Sequence, residues 1–187
     1  MNKPLNPMPL VYKSADECVG ERGFPKSSSP QFIIALRGAK NTGKSWTLNL
    51  LVDNLKRKVF ETSFQGGVLG EGTLPCNKET GTVDRWLCVA VYGFVVLVYT
   101  AGDNRHCIHA AFSLATAYCC DALILPTRTG NSDALGTLRM EASIRGSPIV
   151  EIDRKAGEDN YSKSAKKQSE ELEAELRVLC NCKEGKD

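Results

Sequence analysis

The chain is poor in groups that titrate near neutrality and poor in excess charge. Only 2 histidines stand among its 187 residues, and the formal net charge is +2. A zinc centre is therefore short of ligands, since such a site takes about four at paired spacing. His106-Cys107-Ile108-His109 offers one helical face, but no C-x-x-C pair exists to complete it: Cys119 and Cys120 are adjacent, and Cys180-Asn181-Cys182 lies in a polar tail. A charge so close to balance leaves no electrostatic footprint that would indicate nucleic acid. No apolar run approaches the roughly 20 residues that cross a bilayer, so no membrane partner is expected. The opening MNKPLNPMPLVYKS has no apolar stretch behind a basic end, so no secretory leader is expected either. The 8 cysteines accordingly read as reduced thiols of a cytoplasmic protein. Several sit as small hydrophobes inside the apolar runs WLCVAVY and ATAYCCDALIL.

What remains is an ordinary globular balance, with 42% hydrophobic and 25% charged residues, over a length that suits one compact domain. Prolines and the segment SSSP mark residues 1–30 as an N-terminal extension. Residues 31–182 are the expected domain and 183–187 a tail. FIIAL at 32–36 reads as a buried strand ending in a glycine-rich turn. A helix follows, with Leu48, Leu51, Val52 and Leu55 on one face and a basic end. A second strand is expected at 59–64. The glycine-rich stretch 66–84 reads as a long mobile loop, of the kind that is often functional. RWLCVAVYGFVVLVYTAGD is a strand pair around Gly93. Then come a helix over 106–119, a strand at 122–126, and a helix over 132–145 with Leu135, Leu138 and Ile144 inside. A strand at 148–152 and a charged helix over 162–180, with Leu172, Leu176 and Leu179 as its stripe, complete the pattern. Strands alternating with helices predict an α/β fold with a mostly parallel sheet covered on both faces, and the Gly93 hairpin adds an antiparallel edge.

One motif carries chemistry. Gly38-Ala39-Lys40-Asn41-Thr42-Gly43-Lys44-Ser45 matches G-x-x-x-x-G-K-[ST] and stands between a predicted strand and a predicted helix. Its glycines permit a tight turn, and successive N–H groups at a helix N-terminus gather anionic oxygens. Lys44 adds charge against terminal phosphates, and the Ser45 hydroxyl is a ligand for Mg²⁺. Trp46 follows directly and is expected to pack beneath the loop. Arg128, just past a buried strand, lies where ligands bind in open α/β sheets and suits a phosphate or a substrate anion; a solvated loop arginine is the plain alternative.

On these residues the chain resembles the P-loop NTPase superfamily, over roughly residues 32–180. The resemblance implies a three-layer α/β/α sandwich, a bound nucleoside triphosphate and Mg²⁺. Tyr99-Thr100-Ala101-Gly102-Asp103 resembles the D-T-A-G segment of Ras-like GTPases, with Tyr99 where that family has its Asp. The displaced carboxylate Asp103 is then the candidate for the metal or for orienting a nucleophile, and it doubles as a candidate N-cap for the helix that follows. His106 is a neighbour of that site, and Thr80 and Thr82 stand where a switch threonine would. The guanine-reading N-K-x-D is absent: Asn77-Lys78-Glu79-Thr80 lacks the Asp and precedes the hairpin. ATP is therefore expected rather than GTP. The Gly102-Asp103 pair together with Cys120-Asp121-Ala122-Leu123-Ile124-Leu125-Pro126-Thr127-Arg128-Thr129 is similar to small bacterial and phage-type ATP-binding proteins, which implies nucleotide binding and no particular reaction. Three functions stay open at this stage. They are NTP hydrolysis or phosphoryl transfer, a nucleotide-dependent switch with little turnover, and a diverged small GTPase. A protein partner would meet the 66–84 loop or the C-terminal helix.

Overall fold

A computed structural model of the chain describes residues 29–61, 66–74, 83–130, 133–154 and 161–184. In chain order these form β1 (Phe32–Gly38), α1 (Lys44–Glu61), β2 (Gly67–Thr73), β3 (Arg85–Val91), β4 (Phe94–Tyr99), α2 (Arg105–Ala117), β5 (Ala122–Arg128), α3 (Asp133–Arg145), β6 (Ile149–Asp153) and α4 (Tyr161–Glu184). The protein is α/β. Its six strands lie in the order β2-β3-β4-β5-β1-β6. β6, β1, β5 and β4 are mutually parallel, while β3 runs antiparallel to both β4 and β2.

β1 lies between two parallel neighbours and two helical layers, so it has no solvent face. Phe32, Ile33, Ile34, Ala35 and Leu36 are at most 2% exposed. This continuous apolar run is the sequence mark of a strand buried on both faces. Full burial of each Ile or Leu contributes about 1.5–3 kcal/mol relative to exposure. Alternation splits the core. Phe32, Ile34 and Leu36 meet α1 and α4 through Leu48, Leu51, Leu55, Leu172 and Leu176. Ile33 and Ala35 face α2 and α3 through Ile108, Phe112 and Leu138. The apolar stripe of α4 is taken up by this packing. At the N-terminal end of the parallel strands, Lys58 of α1, Arg177 of α4 and Tyr92 of the β3–β4 turn converge on Glu173, with the Tyr92 hydroxyl 2.7 Å from its carboxylate. Burial pushes the Glu173 carboxyl up, but these partners together outweigh it and hold the group ionised.

Three expectations need correction. Residues 59–61 continue α1 instead of starting a strand, because Val59 still packs on the core one helical turn beyond Leu55. The rest of that proposed strand and most of the loop at 75–82, with Thr80 and Thr82, lie outside the described residues. Within the supposed 66–84 loop, Gly67–Thr73 is the edge strand β2. Its glycines admit aromatic rings against the backbone: a Cβ at Gly70 would collide with the Tyr118 hydroxyl, and one at Gly72 would lie 2.6 Å from the Trp86 indole nitrogen. Those two rings pack together with centroids 5.6 Å apart. Ile144 is 72% exposed, since α3 turns Ala134, Leu138 and Ala142 to the sheet instead. The other elements lie within a few residues of their expected bounds.

The turn between β3 and β4 has two residues, Tyr92 (φ 54°) and Gly93 (φ 76°). Both are left-handed, which is the turn whose twist matches that of a hairpin. Gly102 meets a different demand. A Cβ there would run into the carbonyl oxygen of Pro126. Gly102→Ala should therefore lose about 1–3 kcal/mol, the usual cost of overpacking. At Gly136 of α3 an added Cβ meets nothing within 4 Å, and Gly136→Ala should gain up to about 1 kcal/mol of helix propensity. Urea titration of the two variants checks both signs.

Candidate functional site

The parallel strands end on one edge of the sheet, where open α/β folds bind ligands. The register sets Gly38 of β1 opposite Arg128 of β5, and Arg37 opposite Asp153 of β6. Backbone bonds extend the ladder on both sides, from Thr129 N–H to the Gly38 carbonyl (3.1 Å) and from Arg154 N–H to the Arg37 carbonyl (2.6 Å). Residues 38–45 leave this fixed edge and enter α1. Asn41 (φ 60°) and Gly43 (φ 83°) are left-handed, while Thr42 between them is not. Such alternation of hand turns successive N–H groups to one side and makes an anion-binding concavity. Asn tolerates the left-handed region better than most residues with a Cβ. Gly38 is needed for a separate reason: a Cβ would come within 2.7 Å of the Thr42 hydroxyl and 3.0 Å of the Arg154 side chain.

Lys44 folds back into this turn. It is 6% exposed, and its ammonium donates to the carbonyls of Gly38 (3.0 Å) and Ala39 (2.7 Å). Thr42 donates to the same Ala39 oxygen at 2.9 Å. Burial pushes the Lys44 pKa down; the Asp103 carboxylate opposes that, and the Arg128 guanidinium adds to it. Lys44, Asp103 and Arg128 therefore share one electrostatic neighbourhood, although they come from α1, the β4–α2 turn and β5. Ala39 and Lys40 are exposed on the outer rim of the turn.

Ser45 points elsewhere. Its hydroxyl donates to the Thr100 carbonyl at the end of β4, 2.9 Å away. Thr100 is the junction of a second group. Its hydroxyl accepts from Arg85 N–H (2.7 Å) and donates to the Asp84 carboxylate (3.3 Å), and its N–H donates to the Arg85 carbonyl (2.9 Å). Asp84 is thereby brought beside Ser45. Sequence reasoning missed it. The signal was present in the hairpin arithmetic, because a two-residue turn at 92–93 pairs Trp86 with Tyr99 and so brings Asp84 next to Thr100 and Ala101. Burial raises the Asp84 pKa above the ordinary aspartate value of 3.8; the Ser45 and Thr100 hydroxyls pull it back, and Asp103 adds to the rise.

Other candidates resolve differently. Asp103 is exposed and does not cap α2; the cap is Asn104, whose side chain accepts from Cys107 N–H at 3.0 Å. Tyr99 is 4% exposed and packs in the core under α2, where burial pushes its phenol up to about 12. Trp46 is 47% exposed, so it is not packed beneath the turn. It occupies the outer surface of the first turn of α1, because the inner positions belong to Lys44, Thr47 and Leu48. His106 is exposed, and His109 reaches Glu141 of α3 at 2.8 Å. Among the described residues, no group of three or more His, Cys, Asp or Glu is placed to hold a metal. Cys88 and Cys120 are buried thiols in contact, 3.7 Å apart. No described helix is long and apolar enough to cross a membrane.

Comparison of the chain with protein-family models, with curated proteins and with solved structures finds no match. The case for a function therefore rests on the geometry of this edge.

A pH-dependent stability follows from Asp84. Its raised folded-state pKa means that its contribution favours folding below about pH 3.8 and is lost as the pH rises through the higher folded value. Asp84→Asn should then melt at a higher temperature than the wild type at pH 7. The gap should close as the pH falls toward 3.8. Thermal melts across that range test the sign.

Proposed function

We propose that the protein binds a nucleoside triphosphate, ATP in preference to GTP, with Mg²⁺, and hydrolyses it or transfers its terminal phosphoryl group. The observation that carries this reading is the Lys44 ammonium, buried in a turn of alternating hand and held against two carbonyls of that turn. A buried cation costs free energy unless it is compensated. Backbone N–H groups and a helix N-terminus around it are suited to an anion, not to a second cation.

The donor set fits the cofactor. Mg²⁺ prefers hard oxygen ligands and usually keeps several waters beside one or two carboxylates and substrate phosphates. The Ser45 hydroxyl is an oxygen donor of that kind, and the carboxylates of Asp84 and Asp103 are the two candidates to act beside it. Lys44 and the N–H groups of residues 39–45 would hold the phosphates, and Arg128 would neutralise further charge from the β5 side. Asp103, whose charge reaches both Lys44 and Asp84, would orient the acceptor hydroxyl or water. When bound, the metal would screen phosphate charge as the leaving group departs. Preference for ATP rests on the absence of N-K-x-D from the chain.

A nucleotide-dependent switch with little turnover is the second reading. It is favoured by Tyr99, whose buried phenol occupies the position where a Ras-like site would have its carboxylate.

A panel of ATP, GTP and their diphosphates, followed by the fluorescence of exposed Trp46 and by phosphate release, separates these readings. ATP binding should be abolished by Lys44→Ala with the fold intact by circular dichroism. If Lys44→Ala left affinity unchanged, the turn would not be the nucleotide site. Asp103→Ala should lower phosphate release at least about 100-fold if Asp103 acts on the nucleophile, within the range for such groups. ATP binding without measurable release would select the switch, and a preference for GTP would revive the GTPase reading.

A further inference from the structure

Asp84 is the carboxylate whose position on the site is most firmly built. It lies just before β3, on the antiparallel side of the sheet, and meets the C-terminal end of parallel strand β4 at Thr100. Its carbonyl accepts from Leu74 N–H at 2.8 Å, which ties it to the end of β2. Arg85, the next residue, exchanges backbone and hydroxyl bonds with Thr100. The Arg85 guanidinium reaches Asn49 (3.0 Å to the side chain, 3.0 Å to the carbonyl) and Asp53 (3.1 Å) of α1. Asn49 in turn donates to the Val83 carbonyl at 3.2 Å. The backbone on both sides of Asp84 is thus pinned to β2, β4 and α1 together. Its carboxylate is directed at the Thr100 hydroxyl (3.3 Å), while the carbonyl of the same Thr100 receives the Ser45 hydroxyl (2.9 Å).

Asp103 has none of this support. It precedes the N-cap of α2 in an exposed turn, and its charge acts on Lys44. The two carboxylates share one electrostatic neighbourhood, since Asp103 acts on Asp84 as well as on Lys44, but they differ in support: Asp84 is hydrogen-bonded to Thr100 beside Ser45, and Asp103 sits in an exposed turn. A group that must hold a ligand to within a fraction of an ångström belongs on a rigid, hydrogen-bonded element. Outer partners that orient a metal ligand typically contribute 10–100-fold to metal affinity.

We propose that Asp84 positions the divalent cation that accompanies the bound nucleotide, acting through the Ser45 hydroxyl and Thr100, and that Asp103 has no part in holding the cation. This inference rests on the reading of Gly38–Ser45 as a nucleotide site. It assigns the cation role to a residue from the antiparallel flank. The Ser45 oxygen would offer the cation a lone pair, with the Ser45 proton directed at the Thr100 carbonyl beside Asp84. Asp84 thus sets the orientation of the ligand without needing to be the ligand itself.

The experiment is a calorimetric titration of the full chain with ATP, once in EDTA and once in excess Mg²⁺, for the wild type, Asp84→Asn, Asp84→Glu, Asp103→Asn, Ser45→Ala and the Asp84→Asn/Ser45→Ala double variant. Binding of Mn²⁺ to each ATP complex is followed separately by electron paramagnetic resonance. The wild type should bind ATP more tightly with Mg²⁺ than without. Asp84→Asn should bind ATP in EDTA at least as tightly as the wild type, with one carboxylate fewer facing the phosphates, and should lose about 10–100-fold of Mn²⁺ affinity. Asp84→Glu should recover part of that loss, and Asp103→Asn should keep the wild-type cation affinity. The double variant should be no worse than Ser45→Ala alone, because the two residues act in series. A wild-type response in Asp84→Asn, or loss of the cation in Asp103→Asn instead, overturns the inference while leaving the nucleotide site standing. Failure of the wild type to bind ATP in either buffer overturns the nucleotide reading and this inference with it.

Discussion

The arrangement of this edge of the molecule depends on where the charge of Lys44 goes. A primary ammonium with 6% of its residue surface in water must find compensation nearby, since an unpaired buried charge costs several kcal/mol. It finds two carbonyls of its own turn and the field of Asp103, and it is opposed by Arg128. The carbonyls are available only because the backbone between Gly38 and Lys44 doubles back through two left-handed residues. That path is possible only because the turn is anchored at its base. β1 is clamped between β5 and β6, and backbone bonds from Thr129 and Arg154 carry the clamp to the last residues of the strand. The apolar core under β1 therefore does more than stabilise the fold. It fixes the point from which the turn departs.

The two halves of the sheet contribute different things to the site. The parallel half supplies the turn, Lys44 and Arg128. The antiparallel half supplies Asp84 and Thr100, through a hairpin whose pairing is set by a two-residue turn at its far end. The glycines of β2 belong to this second half. They let Trp86 and Tyr118 lie against the edge strand, and β2 then holds the chain before β3 through the Leu74–Asp84 bond. Arg85 closes the connection by tying β3 back to α1. A chain of hydrogen bonds thus runs from the edge strand to the hydroxyl of Ser45.

Much of this was legible in the sequence, and the failures have a common cause. The buried strands and the helical stripes on α1 and α4 declare themselves through runs and periods of apolar residues, because burial on one face or on two leaves a regular mark. The same rule misread Gly67–Thr73 as a loop. Its glycines serve ring packing from Trp86 and Tyr118, and neither partner is visible from local composition. Ile144 was misplaced because the buried face of α3 runs through Ala134, Leu138 and Ala142 at a spacing of four, and Ile144 lies off it. Trp46 was sent inward because indoles usually are, yet the inner positions around it were already filled.

By itself the sequence determined the α/β alternation and the Gly38–Ser45 turn between a buried strand and an amphipathic helix, with Lys44 and Ser45 at its end. Those features are local: each follows from residue types within a few positions of one another. Only the tertiary structure decided which side chains meet that turn. The order β2-β3-β4-β5-β1-β6 brings Arg128 beside Gly38 from 90 positions away. The Thr100 junction brings Asp84 beside Ser45, and Asn104 relieves Asp103 of capping. Convergence of this kind comes from strand order and register, which are set by the packing of the whole sheet and not by any one segment.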